Sequence, residues 1–315
     1  MVLNAAFIGN LVAAANCAVH CSQNTELFVN APDRRDEIRE IKRAFSANSD
    51  HNALHTIQDQ YENVLETEGR RDAELYCQKY GMRADRLQYV KSLSKLHIEQ
   101  VLKSGVIPAT TEAQDLNRFS DIDQLTSAVL LSGANALLLT KRQVKTKGKL
   151  ATVVGTFTST GERAHISTES LNYGVTKRVA RPCLLAYFGG YHSTERRALV
   201  LYKTSLITPH VAILFSDGQI NRESEDDENT TLSLPRHRLK IDIPTSQAAH
   251  LLKVREMLWD TLDYHVQRNI NNLDYEEHTT TSRFKVRLVK TIGRILVEGD
   301  REFIQGKARL DSIEQ

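Results

Sequence analysis

Cys17, His20 and Cys21 stand at i, i+3 and i+4, which places them on one face of any helix that carries them. Two thiolates and an imidazole at that spacing would supply three of the four tetrahedral ligands of zinc. No fourth ligand is evident, and a buried helix with small thiols beside one polar histidine gives the same pattern. His51 and His55 repeat the i, i+4 spacing, but no glutamate follows His51 to serve as the base of a helical zinc-hydrolase site. The chain has no Gly-x-Ser-x-Gly elbow, and Cys183 lies in an apolar run that reads as strand core. Phosphate-loop chemistry is missing as well. Gly148-Lys149 is followed by Leu150 and Gly306-Lys307 by Ala308, and neither pair has a glycine five positions before its own. Such a chain has no backbone cradle for a β-phosphate and no hydroxyl for Mg²⁺. Tyr275-Glu276-Glu277-His278 lacks the leading Asp of an Asp-Glu-x-His metal site.

The remaining chemistry is electrostatic. The formal net charge is only +2, yet between Lys141 and His210 twelve lysines and arginines face three glutamates, a local surplus of nine. A basic segment in a near-neutral chain is a footprint for phosphate. The candidate nucleic-acid contacts are Lys141, Arg142, Lys145, Lys147, Lys149, Arg178, Arg181, Arg196 and Arg197. Tyr173, Tyr187, Phe188 and Tyr191 are the candidate stacking platforms. The plainer alternative makes Tyr187 and Phe188 core residues and the charges a solubilising surface. The acidic run Glu223 to Glu228 could hold a basic partner, but a solvated loop explains it as well.

The elements that must position these residues divide into two kinds. Ser49 and Asp50 are N-cap types ahead of an apolar series, Leu54, Ile57, Tyr61, Val64 and Leu65, at helical spacing. Gly69 and Gly81 break the pattern, and a long amphipathic run from Leu87 to Leu102 ends at Gly105. Met1 to Ser22 reads as one buried helix, Phe28 to Pro32 as extended, and Asp33 to Phe45 as a charged helix. After a polar stretch, Asp121 to Thr140 reads as helix with a triple-leucine end, and Lys141 to Lys149 as a basic bridge. From Leu150 the period becomes that of short strands: 151–157, 164–167, 183–188, 198–207, 211–215 and 239–243. Pro244 to Ile270 returns to helix, Phe284 to Val297 reads as a short helix, and 274–281 is polar. The expected fold class is α+β, a helical bundle followed by a small β-barrel of OB type and a C-terminal helix. The expected domains are 1–106 helical, 107–148 connector, 149–244 barrel and 245–315 helical extension. The 315 residues allow two domains. No run reaches the roughly 18 apolar residues of a membrane helix, the apolar start lacks a positive leader, and four irregularly spaced cysteines point to a reducing, intracellular setting, cytoplasmic or nuclear.

Several of these residues also resemble a family. Ser49-Asp50-His51 with Ala53-Leu54, then Tyr76-Cys77, then Leu87 in a charged helix, is similar to the helicase-associated ratchet region of DEAH/RHA-type ATP-dependent RNA helicases. Asp33, Arg34, Arg35, Glu37, Lys42 and Phe45 match a charged stretch that precedes it there. Gly81-Met82 and Asn52 depart from the family pattern. Ile166 to Asn172, Leu184 to Phe188, Leu199 to Pro209, Val211 to Gly218 and the helix bearing Arg255 resemble the OB-type domain that follows it. The resemblance implies an accessory C-terminal region that guides single-stranded RNA for a motor not present in this chain. It implies no cofactor here, ATP and Mg²⁺ belonging to the missing motor domains. Its implied partners are RNA, those motor domains and an activator protein on the barrel, with no membrane. It makes His51 a structural residue at a helix start and the first helix part of a larger unit begun upstream. The alternative function is a non-catalytic protein-interaction platform that binds no RNA.

Overall fold

The computed structural model describes residues 1–22, 26–105, 107, 111–134, 136–178, 181–195, 197–270, 278–305 and 309–312. The chain is α+β, with a mixed seven-stranded sheet and a smaller antiparallel one. The helical part comprises α1 (Val2–Ile8), α2 (Leu11–Ser22), α3 (Arg35–Phe45), α4 (Asp50–Thr67), α5 (Arg70–Tyr80) and α6 (Ala84–Lys103). The expected first helix is therefore two, parted at Gly9-Asn10, and 28–32 is a turn rather than an extended run apart from one bridge, Phe28 to Met82. Ser49 caps α4 as its sequence anticipates, its hydroxyl accepting from the Asn52 amide at 3.0 Å. Leu54, Ile57, Tyr61, Ala73, Cys77 and Leu87 close one core between α4, α5 and α6.

The short α7 (Ala113–Leu116) and α8 (Asp123–Ala134) lead into the large sheet. Its strands are β1 (Leu137–Thr146), β2 (Lys149–Thr158), β3 (Arg163–Ile166), β4 (Leu184–Tyr187), β5 (Gly190–Ser193), β6 (Ala198–Leu201) and β7 (Thr204–Ile207), with α9 (Val175–Arg178) between β3 and β4. The order is β5-β6-β3-β2-β1-β4-β7. Only β3 and β6 are parallel. β4 pairs with β1 and β5 pairs with β6, yet only Phe188 and Gly189 separate β4 from β5. One bent run thus joins the two flanks, and the sheet must curl to let it. Leu138, Ala164, Ile166, Val175, Cys183, Leu185 and Leu201 fill the interior.

Three expectations fail here. Leu137 to Leu139 end no helix but begin β1, the stretch from Lys141 to Lys149 is strand and turn, and Val211 to Phe215 is not a strand. That last run lies in α10 (Pro209–Phe215), every residue of which is buried. A short run buried on all sides shows neither a period of 2 nor of 3.6, so apolarity alone does not decide its type. Pro209 at the first turn is the signal that favours helix.

The second sheet has the order β11-β10-β9-β8, from β8 (Asn221–Glu225), β9 (Asn229–Leu234), β10 (Leu239–Pro244) and β11 (Arg309–Ser312). It packs with α11 (Thr245–Ile270) and α12 (His278–Gln305), α12 being far longer than the expected 284–297. These elements share one core with α1, α8, α10 and the outer face of β1 and β4. Arg255 of α11 donates to the carbonyls of Ile213 at 2.8 Å, Leu214 at 3.1 Å and Gly218 at 2.8 Å, and stacks on Trp259. It closes the C-terminal carbonyls that α10 leaves unpaired. Arg255→Ala is expected to lower stability by about 2 kcal/mol, the range for a charged donor lost from buried acceptors, with the shift read in a urea melt. No helix among the described residues is long and apolar enough to cross a membrane.

Candidate nucleic-acid interface

The β1–β2 hairpin carries five of the nine candidate cations. Its turn is Lys147-Gly148, with φ of 50° and 76°. Two residues with positive φ make the mirror-image turn that matches strand twist, and glycine fits it without strain. That is why the basic stretch is a hairpin rather than a bridge. Register runs without break from Lys141 opposite Val154 to Thr146 opposite Lys149. Before that, one extra residue is accommodated on β2 near Gly155, whose missing Cβ leaves room for the Phe157 ring. A bulge at this point bends the pair and re-aims what lies beyond it.

Lys145, Lys147 and Lys149 are exposed, and Lys141 is half-buried. Arg142 folds back, its Nη1 donating to the Gly161 carbonyl at 3.2 Å, so part of its hydrogen-bonding capacity serves the sheet. Arg181 is exposed two residues before Cys183, whose backbone pairs with Thr140, so it stands at the foot of the hairpin. Arg178 closes α9, which packs on β1 and β2, but its side chain lies outside the described residues, as does all of Arg196. Arg197 is exposed in the β5–β6 turn. That turn adjoins the 159–162 turn, because β6 runs parallel to β3 from Ala164 onward, and the His192–Glu162 contact at 3.4 Å marks the same end. The candidate cations therefore form a cluster on and below the β1–β2 hairpin, with Arg197 at the opposite end of the strands. Lys203, one of the twelve basic residues of the segment, turns inward and donates to the His20 carbonyl at 2.6 Å.

The aromatics divide in the same way. Tyr173 and Tyr191 are exposed, at 45% and 49%. Tyr173 lies under the Arg39 guanidinium, 5.2 Å from its centroid, and Tyr191 stacks on Tyr202 with centroids 5.4 Å apart. Tyr187 packs against the core of the large sheet and Phe188 packs edge-on against His51, so both belong to the fold.

Sequence inspection misses why Ser49-Asp50-His51 matters: these residues join the helical part to the large sheet. Asp50 is fully buried and accepts from Lys42 Nζ at 3.0 Å, the Leu171 amide at 3.1 Å, the Thr204 amide at 3.0 Å and the Ser170 hydroxyl. Burial pushes its pKa up, but Lys42 and these donors outweigh that and hold it below the ordinary carboxylate value. Lys42 also donates to the Glu169 carbonyl at 2.9 Å. Ser205 Oγ meets Ser49 Oγ at 2.6 Å and His51 Nδ1 at 2.5 Å. Asn172 Nδ2 reaches the carbonyls of Asn48 and Thr204, each at 3.1 Å. The Leu206 amide donates to the Asn48 carbonyl, so 48–49 covers the free edge of β7.

The zinc spacing is occupied otherwise. The Cys17 thiol donates to the His51 carbonyl at 3.4 Å. Burial pushes the Cys21 thiol up to about 12 and that of Cys17 well above its usual value. Among the described residues no group of three or more His, Cys, Asp or Glu is placed to hold a metal. Glu223 and Glu225 lie on exposed β8, and Asp226 caps the β8–β9 turn through the Glu228 and Asn229 amides. Residues 275–277 of the Glu-Glu-His near-motif lie outside the described residues. No family model matches the chain and no curated protein is similar to it.

Proposed function

We propose that this chain is an accessory, non-catalytic module that guides single-stranded RNA, of the kind that stands beside the motor in DEAH/RHA-type RNA helicases. The observation that carries the proposal is the basic β1–β2 hairpin on a small curled sheet. A three-strand meander, a parallel pairing of β3 with β6 and a bent β4–β5 run that joins the flanks support an OB-type barrel. In such barrels the loop after the first strand and the loop before the last bind oligonucleotides. Here the first of those loops is the Lys147-Gly148 turn. The helices α1 to α6 are the counterpart of the ratchet, and the Asp50 junction holds them against the barrel. ATP and Mg²⁺ belong to the motor domains, in the same gene or a partner chain, and the intracellular setting follows from that role. An activator protein on the barrel is a further partner of this reading.

Lys145, Lys147 and Lys149 changed together to alanine test it. Each phosphate contact on a single strand contributes a salt-dependence slope of about 0.7, so the triple variant is expected to flatten the slope of RNA affinity against salt by about 2. An unchanged slope, with wild-type folding, would remove RNA from the proposal and leave a protein-interaction platform.

A further inference from the structure

Past the bulge at Gly155 the two strands leave the barrel as a ribbon of six residue pairs, about 20 Å long at strand rise. Leu150, Val153 and Val154 on it are 55%, 41% and 54% exposed. Cross-strand pairs share a face. One face therefore holds Lys141, Gln143 and Lys145 with Val154, Thr152 and Leu150, and the other holds Arg142, Val144 and Thr146 with Val153, Ala151 and Lys149. Aliphatic and cationic side chains alternate on both. The β2 half of the ribbon is open from Lys149 to Val154, and three exposed aliphatics on a two-stranded ribbon need a cover.

The charge pattern restricts what that cover is. From Leu137 to Thr158 there are five lysines and arginines and no acidic residue. An unbroken run of one sign complements a repeating anion, whereas protein interfaces are depleted of lysine at their cores. The apolar residues restrict it further. Single strands are held by aromatic platforms on which bases stack, and the ribbon has none. Aliphatic wedges act on stacked base pairs, entering or capping a step while basic neighbours hold the phosphates.

We infer that the ribbon engages the end of an RNA duplex, where the strands part, with Leu150 and Val154 against the terminal base pair, Val153 on the opposite face against the base that has left the stack, and Lys145, Lys147 and Lys149 on the two backbones. The inference rests on the RNA-guiding role proposed above and names the form of RNA that this site takes. The duplex end sits at the hairpin, and the released strand continues onto the barrel toward Tyr173 or Tyr191.

The test measures binding of the full chain to a labelled stem-loop RNA with a single-stranded tail and to the tail alone. The wild type is expected to bind the stem-and-tail RNA about tenfold more tightly, the scale of a few covered aliphatic side chains. The triple variant L150N/V153N/V154N, whose substitutions all lie on exposed positions, is expected to melt like the wild type, keep its affinity for the tail and lose the preference. Equal wild-type affinity for the two RNAs overturns the inference and leaves the guiding role intact. A preference that survives in the triple variant overturns it as well. No binding of either RNA overturns both.

Discussion

Replacing Asp50 by alanine will cost the fold about 3 to 5 kcal/mol, the range for breaking a buried ion pair by removing one partner. The side chain is fully buried, and its two oxygens serve Lys42, Ser170 and the amides of Leu171 and Thr204. The substitution leaves a buried ammonium without its counter-charge and two amides without an acceptor, which is a desolvation cost that no rearrangement of Lys42 repays. Lys42 cannot escape to water, since it is only 5% exposed and anchored to the Glu169 carbonyl. Adding Lys42→Met to Asp50→Asn should recover part of the loss, because the uncompensated charge is then gone. Urea denaturation of the three variants checks this. An Asp50→Ala midpoint within about 1 kcal/mol of wild type would show that the junction is not the structural lock described here.

The second large effect is on acid stability. His20 and His51 are buried, and both are held well below the ordinary imidazole value, to about 3 and about 4. Desolvation is the main cause in each. For His20, the nearby Lys203, His55, His51 and Lys42 push the same way. For His51, Asp50 opposes the shift while Lys203 and Lys42 reinforce it. Below pH 6.5 the unfolded chain takes up protons on both rings and the folded chain does not. Their contribution is therefore whole above pH 6.5 and falls as the pH drops toward 4. Two such groups give a slope approaching about 3 kcal/mol per pH unit below pH 6.5, so the change from pH 7.5 to 5 is on the order of 4 kcal/mol. Asp50 acts in a separate window, because its depressed pKa makes its contribution fade only below the ordinary aspartate value of 3.8. Denaturant midpoints measured between pH 7.5 and 5 should fall steeply, and His51→Gln should flatten the fall. A midpoint constant over that range would contradict the burial of both rings.

What the sequence reveals depends on how local the determining physics is. Ser49 announces the start of α4 because capping is settled within three residues. The stripe from Leu54 to Leu65 announces its buried face because amphipathic periodicity is a local pattern. The Lys147-Gly148 turn is equally local, but β1 before it is half-buried and β2 after it exposed on both faces, so neither shows the alternation that would reveal it. Val211 to Phe215 fails for the opposite reason, being buried all round. The candidate cations follow the same division. Composition locates the basic segment, but it cannot tell Lys145, on the open ribbon, from Lys203, turned toward His20, because only the tertiary path separates them. Tyr187 and Phe188 look like Tyr173 and Tyr191 in the sequence, and only the tertiary path packs the first two against the core and His51 and leaves the others exposed.

The Asp50 junction also orders events in time. Its partners Ser170 and Thr204 come 120 and 154 residues after it. A chain leaving the ribosome from its first residue forms α3 and α4 long before those partners exist. Lys42 and Asp50 can meet early, but the other acceptor positions on the carboxylate must be held by water until β7 emerges. The helices therefore wait with this seam hydrated, and its drying is a late step that sets them against the large sheet.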